Sequence, residues 1–180
     1  MSEKKKMKKA FVSIDPGLSG WGYAIFSAEG ADLNRVQPPL EAGSVTPPSK
    51  VNKLPDIKLG QRLGHYWDDL NERLEAWTTN YNLQGGVVEW PEFFGTSAKG
   101  HTAASKGDLT KLTCSAAGIV FALASYGLPC QPIGVRKWKG QLSKDLVIHR
   151  IQKILPDFET ESHAWDAVGL GLHFKKVAFK

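Results

Sequence analysis

Residues 10–26 read Ala10-Phe11-Val12-Ser13-Ile14-Asp15-Pro16-Gly17-Leu18-Ser19-Gly20-Trp21-Gly22-Tyr23-Ala24-Ile25-Phe26. Two apolar runs rich in strand formers flank a turn of Asp, Pro and Gly, the pattern of a β-hairpin with an acid at the end of its first strand. The next stretch, residues 27–58, is rich in Pro, Ser and Gly. It leaves room for a third strand at about Glu41 to Val45, between Pro38-Pro39 and Pro47-Pro48. The period then changes. Leu59, Leu63, Tyr66, Leu70, Leu74 and Trp77 recur at steps of three and four, which predicts an amphipathic helix from about Ile57 to Trp77.

Gly85-Gly86 reads as a break, and Val87-Val88-Glu89 as a short buried strand that also ends in an acid. A polar loop with Gly95, Gly100 and Gly107 precedes a second helical face made of Leu109, Leu112, Ala116, Ile119 and Leu123, closed by Gly127 and Pro129. A strand near Cys130 to Ile133 leads into the basic stretch Val135-Arg136-Lys137-Trp138-Lys139. Ser143 is expected to cap a third helix that Pro156 stops, and Ser162 a last one running to about Phe174. The order β-β-β-α-β-α-β-α-α predicts an α/β fold: a mixed five-stranded sheet flanked by helices on both faces.

Composition agrees with a single folded domain over residues 10–180. The 180 residues are 42% apolar and 23% charged, which excludes intrinsic disorder. The net charge of +5 is uneven: residues 1–10 hold five lysines and one acid, and the remainder is close to neutral. Residues 1–9 are therefore expected to form a flexible basic tail. Cys114 and Cys130 lack metal-binding spacing and read as two buried thiols in a reducing compartment. No signal-peptide h-region follows the lysines, and the apolar centre Ala116 to Ala124 is too short to span a bilayer. The expectation is a cytoplasmic protein without a membrane partner.

The chemistry gathers around the strand-end acids. If the first and fourth strands are parallel neighbours joined by a crossover helix, Asp15 and Glu89 emerge at the same sheet edge, where α/β ligand sites form. His163 and Asp166, three apart on the last helix, would share a face. Carboxylates and a histidine of this kind suit hard divalent cations such as Mg²⁺. Two such ions about 3.5–4 Å apart stabilise the attacking and leaving oxygens of a phosphodiester displacement. The basic residues supply the opposite sign: Arg136, Lys137, Lys139, Lys144, Arg150 and Lys153 in one segment, with Lys99, Lys106 and Lys111 beside His101 in another. Such surface grips phosphates. Phe93 and Phe94 are candidates to stack on an unpaired base.

Ile14-Asp-Pro-Gly17 with Gly20-Trp-Gly-Tyr-Ala24, Val87-Val-Glu89 and Ser162-His-Ala-Trp-Asp-Ala167 together resemble the RuvC-type Holliday junction resolvases of the RNase H-like nuclease superfamily. The likeness runs over roughly residues 10–174. It implies a homodimeric crossover junction endodeoxyribonuclease of DNA recombination and repair, cutting four-way DNA junctions by symmetric paired nicks. It also implies two Mg²⁺ ions per site, with Mn²⁺ able to substitute. Asp15, Glu89 and Asp166 would be metal-binding carboxylates, His163 the fourth ligand, and Lys139 and Lys144 functional lysines by the site. Arg136 is a further DNA-contact candidate. The loop after Glu89 is longer than in typical bacterial members, so neither Phe93 nor Phe94 aligns with the family's stacking aromatic. Two other readings remain: a nuclease of the superfamily acting on RNA–DNA hybrid, and a non-catalytic DNA-binding protein on the same scaffold. The absence of a P-loop and the short chain speak against actin-like ATPases.

Overall fold

The computed structural model describes residues 7–29, 36–46, 59–93 and 107–176. Strands β1 (Lys9–Asp15), β2 (Trp21–Ser27) and β3 (Glu41–Val45) form an antiparallel meander, with Asp15 opposite Gly22. Helix α1 (Leu59–Asn80) then crosses over to β4 (Asn82–Trp90), which lies parallel to β1 with Ile14 beside Val88. Helix α2 (Asp108–Ser125) leads to β5 (Cys130–Gly134), parallel to β4. Three helices complete the chain: α3 (Val135–Trp138), α4 (Lys144–Ile154) and α5 (Ala164–Phe174). The sheet order is β3-β2-β1-β4-β5. The expected mixed five-stranded sheet with flanking helices is the fold observed.

Strand alternation divides the core in two. Val12, Ile14, Trp21, Tyr23 and Val88 pack with Tyr66, Leu70, Leu74 and Trp77 of α1 and with Ala116, Ile119 and Leu123 of α2. Phe11, Ala24, Phe26 and Val87 pack on the other face with α4 and α5. Ser13 sits fully buried on that second face, and its hydroxyl donates to the Ala167 carbonyl at 2.6 Å. The bond satisfies a polar group in the core and pins α5 to β1 one residue from Asp166. The same parity brings Asp15 and Glu89 to the α5 face.

Gly22 explains the small residue opposite Asp15. A Cβ there would run into the His163 carbonyl and the Ala164 nitrogen, so only glycine lets the start of α5 lie on β2. On the other face Glu41 Oε1 accepts from Tyr23 at 3.1 Å and from the Trp77 indole at 3.3 Å, while Arg73 donates to the Tyr23 hydroxyl at 2.9 Å. This network ties the edge strand β3 to α1. The Ser44 amide of β3 donates to Glu161 Oε2 at 3.0 Å, and the opposite edge strand, β5, carries Pro132.

Several expectations need correction. Gly85-Gly86 does not break the chain; it lies inside β4, whose register to β1 shifts between Ala10 and Val12. Gly85 adopts φ +148°, and the Gly86 amide donates to the Pro129 carbonyl at 2.9 Å, so glycine here allows a bulge. The cap of α5 is His163, not Ser162, because the Ala164 amide bonds to the Glu161 carbonyl in a preceding turn. Ser143 does cap α4, accepting from the Leu146 amide at 3.4 Å. Cys114 is exposed rather than buried, because the groove between α1 and α2 that it lines with Trp67 and Leu70 is open to solvent, and Cys130 is half-buried. Helix α2 has the length and apolar composition of a membrane span, contrary to the expectation from its centre alone; here it packs Ala116, Ile119, Ala122 and Leu123 into the core. Main-chain pairing also reaches into the lysine stretch: Lys9 opens β1, and the Lys8 carbonyl accepts from Asn82 at 3.0 Å.

Candidate active site

Asp15 ends β1, Glu89 is the penultimate residue of β4, and Asp166 lies in the first turn of α5. Glu89 and Asp166 are only 9% and 8% exposed, unusual for carboxylates that do not pair or bind a cation. The Lys139 ammonium bridges them, 3.1 Å from Glu89 Oε2 and 3.0 Å from Asp166 Oδ1. Lys144 Nζ lies 3.9 Å from Asp166 Oδ2 and donates to the Ser162 hydroxyl at 3.0 Å. The Trp138 indole N–H donates to Glu89 Oε2 at 2.8 Å.

Charge within the cluster is strongly coupled. Burial, followed by the charges of Glu89 and Asp166, pushes the Asp15 carboxyl well above the usual range, against the pull of Lys139 and Lys144. Burial also raises Glu89, opposed first by Lys139. Lys139 is held above the ordinary lysine value: burial acts against its charge, but Glu89, Asp166 and Asp15 outweigh it. His163 precedes α5 with helical dihedrals (φ −78°, ψ −24°), and burial and Lys144 lower its pKa against Asp166. The structure thus brings Asp15, Glu89, Asp166, Lys139 and Lys144 into one electrostatic unit, with His163 at its margin.

The donor set fits a hard divalent cation. Three carboxylates share two ammonium groups, and carboxylate oxygens are the donors such an ion prefers; the Asp15 carboxyl is raised first by burial and then by the charges of Glu89 and Asp166. As arranged, no three His, Cys, Asp or Glu side chains among the described residues are grouped closely enough to ligate one ion. The Lys139 ammonium instead spans Glu89 and Asp166.

The predicted substrate side is only partly assembled. Phe93 is 43% exposed just beyond β4. Its carbonyl accepts from the Arg136 guanidinium at 2.7 Å, and Glu92 Oε2 accepts from the Arg136 amide at 2.7 Å. Arg136, expected as a DNA contact, therefore also latches the chain after β4 onto α3. Lys137 is exposed, but its charge is felt at His173, two turns along α5 from Asp166. Lys111 pairs with Asp108 at 3.6 Å. Phe94, Lys99, His101 and Lys106 lie outside the described residues. Sequence reasoning missed two groups, Glu92 and the Trp138 indole. Trp138 was conspicuous among the bases; for Glu92 the only signal is Gly134, where a Cβ would stand 2.6 Å from the Glu92 carboxyl carbon.

Neither a family model nor a curated protein matches the sequence. Solved structures do. The chain is similar to Thermus thermophilus RuvC, at 19% identity and TM-score 0.63, with 91% of each chain covered. It is also similar to T. thermophilus RuvC in complex with a Holliday junction substrate, at 21% identity and TM-score 0.61, covering 91% of this chain and 90% of that one. The fold is that of RuvC. Within it, the strand-end acids and the α5 acid of this chain occupy one edge of the sheet, beside the lysines that follow β5.

Proposed function

We propose that this chain is a divalent-cation-dependent endonuclease that cuts four-way DNA junctions by paired nicks. The observation that carries the reading is the Asp15–Glu89–Asp166 cluster with Lys139 and Lys144 against it. Likeness in fold to a protein solved with a Holliday junction supports the substrate class. Asp15, Glu89 and Asp166 would hold Mg²⁺ or Mn²⁺, with His163 as a marginal donor, and the bound ions would supply Lewis-acid activation of the scissile phosphodiester and of water.

The chain's own groups divide the remaining work. Lys139, 18% exposed, pairs with both buried carboxylates and fixes their orientation. Lys144, at 39% exposure, has room to offer an ammonium to a phosphate oxygen. Exposed Arg136 and Lys137 are phosphate contacts, and Phe93, fixed by the Arg136 latch, offers an aromatic face to a base. A two-fold dimer of the chain would match the approximate two-fold symmetry of a junction and deliver two nicks.

A panel of synthetic four-way junction, linear duplex and RNA–DNA hybrid, each with Mg²⁺ or Mn²⁺, tests the reading. Paired nicks are expected in the junction, and none with Asp15→Asn. Preferred cutting of the hybrid would shift the substrate class, and binding without cleavage under either ion would replace an enzyme by a binding protein. Full activity in Asp15→Asn would refute the assigned site. Sedimentation at cleavage concentrations should show two copies per junction; one copy giving both nicks would refute the dimer.

A further inference from the structure

We propose that Trp138 is a positioning residue for Glu89, and that its indole N–H sets the cation affinity of the acid cluster. The inference rests on the metal-site reading above and deepens it. An indole nitrogen donates one hydrogen bond and accepts none. Here it donates to Glu89 Oε2 at 2.8 Å, in a buried setting where the indole is 6% exposed. Glu89 Oε2 thus receives both the Trp138 N–H and the Lys139 ammonium, and the carboxylate is held in one orientation by two donors from adjacent residues.

The ring has a second contact that ties this bond to the other acid. A Cβ at Gly169 would lie 2.7 Å from Trp138 Cζ3, so the indole edge lies against α5 one turn beyond Asp166. The Lys139 ammonium stands 4.8 Å from the centroid of the same ring. One side chain therefore orients Glu89 on β4, rests against the helix that carries Asp166, and flanks the lysine between them. Carboxylates that ligate cations depend on such outer partners, whose removal typically weakens binding about 10–100-fold.

Trp138 also belongs to the second core cluster, so a purely packing role must be separated from a positioning role. Trp138→Phe keeps an aromatic ring and removes the N–H. Titration calorimetry with Mn²⁺ on wild type, Trp138→Phe, Glu89→Gln and the double variant reads the difference. Trp138→Phe is expected to bind Mn²⁺ about tenfold more weakly, with the double variant no weaker than Glu89→Gln alone, because the indole acts through that carboxylate. On the junction, kcat should fall with KM unchanged. Trp138→His, which retains a ring N–H, should bind Mn²⁺ more tightly than Trp138→Phe and provides the comparison if the phenylalanine variant unfolds. Wild-type affinity in a folded Trp138→Phe, multiplying losses in the double variant, or equal weakening in the Phe and His variants would overturn the inference. Absence of Mn²⁺ binding by wild type would instead overturn the metal-site reading on which it rests.

Discussion

Replacing Lys139 by methionine keeps the stem of the side chain and removes its charge. In the wild type that charge lies 3.1 Å from Glu89 and 3.0 Å from Asp166, both of them buried. Removing one partner of a buried pair typically costs about 3–5 kcal/mol, because the other charge is left uncompensated. Two carboxylates are bereaved here, and the remaining help is the Trp138 N–H on Glu89 and Lys144 at 3.9 Å from Asp166. The upper half of that range is expected, near 4–5 kcal/mol. At about 2–4 °C per kcal/mol for a chain of this size, melting in chelator should drop by roughly 8–20 °C. Mn²⁺ should then stabilise the variant more than the wild type, since it restores positive charge where the ammonium was lost and ligand stabilisation grows with affinity. Differential scanning calorimetry of both proteins, with chelator and with millimolar Mn²⁺, reads all four states. Equal melting temperatures in chelator would refute the energetic reasoning. Equal Mn²⁺ shifts in the two proteins would refute the idea that Lys139 and the cation act on the same charges.

Asp15→Asn should raise stability at neutral pH in chelator. The Asp15 pKa is raised in the folded state, so the folded protein binds more protons there than the unfolded chain, and stability falls as pH rises through the folded pKa. Denaturant titrations across pH should show a loss of stability with rising pH that is smaller in the asparagine variant, where only the raised Glu89 remains. Glu41→Ala should cost about 2–4 kcal/mol by stranding the Trp77 indole and Tyr23 hydroxyl; calorimetry checks the fall, and Mn²⁺ affinity should remain wild-type. Of the two cysteines, exposed Cys114 should react rapidly with a disulfide reagent, and Cys130, whose thiol burial pushes up to about 11, only slowly until denaturant is added.

The legible parts of the fold were those written in local period and turn chemistry. The steps of α1 from Leu63 to Trp77, the third strand at Glu41–Val45 and the Ser143 cap each rest on a few neighbouring residues. Asp15 and Glu89 were legible because a crossover between parallel strands brings both strand ends to one edge. What escaped depends on distant partners. Gly85-Gly86 looks like a break unless the Pro129 carbonyl is known to receive the Gly86 amide. Cys114 follows the general preference of thiols for burial, but it falls at the open groove between α1 and α2, which Trp67 and Gly118 also line. The bond from Trp138 to Glu89 joins residues 49 apart, and Arg73 meets Tyr23 across 50. Such pairs leave no periodic trace. The basic segment was visible as charge, but its division into Lys139 inside the acid cluster, Arg136 on the loop and Lys137 toward His173 comes from the rotation of one short helix.

The two rims of the sheet bear on how copies of the chain can associate. On β3, the Ser44 amide is already committed to Glu161, and on β5, Pro132 has no amide hydrogen to give. Each rim thus has one rung withdrawn from the ladder that a visiting strand would need. Growth by adding strands, the route to fibres and to continuous sheets across subunits, is discouraged at both ends. For the two-fold dimer proposed above, this favours contact through side chains on helices and loops, an arrangement that would leave the acids at the strand ends free for substrate.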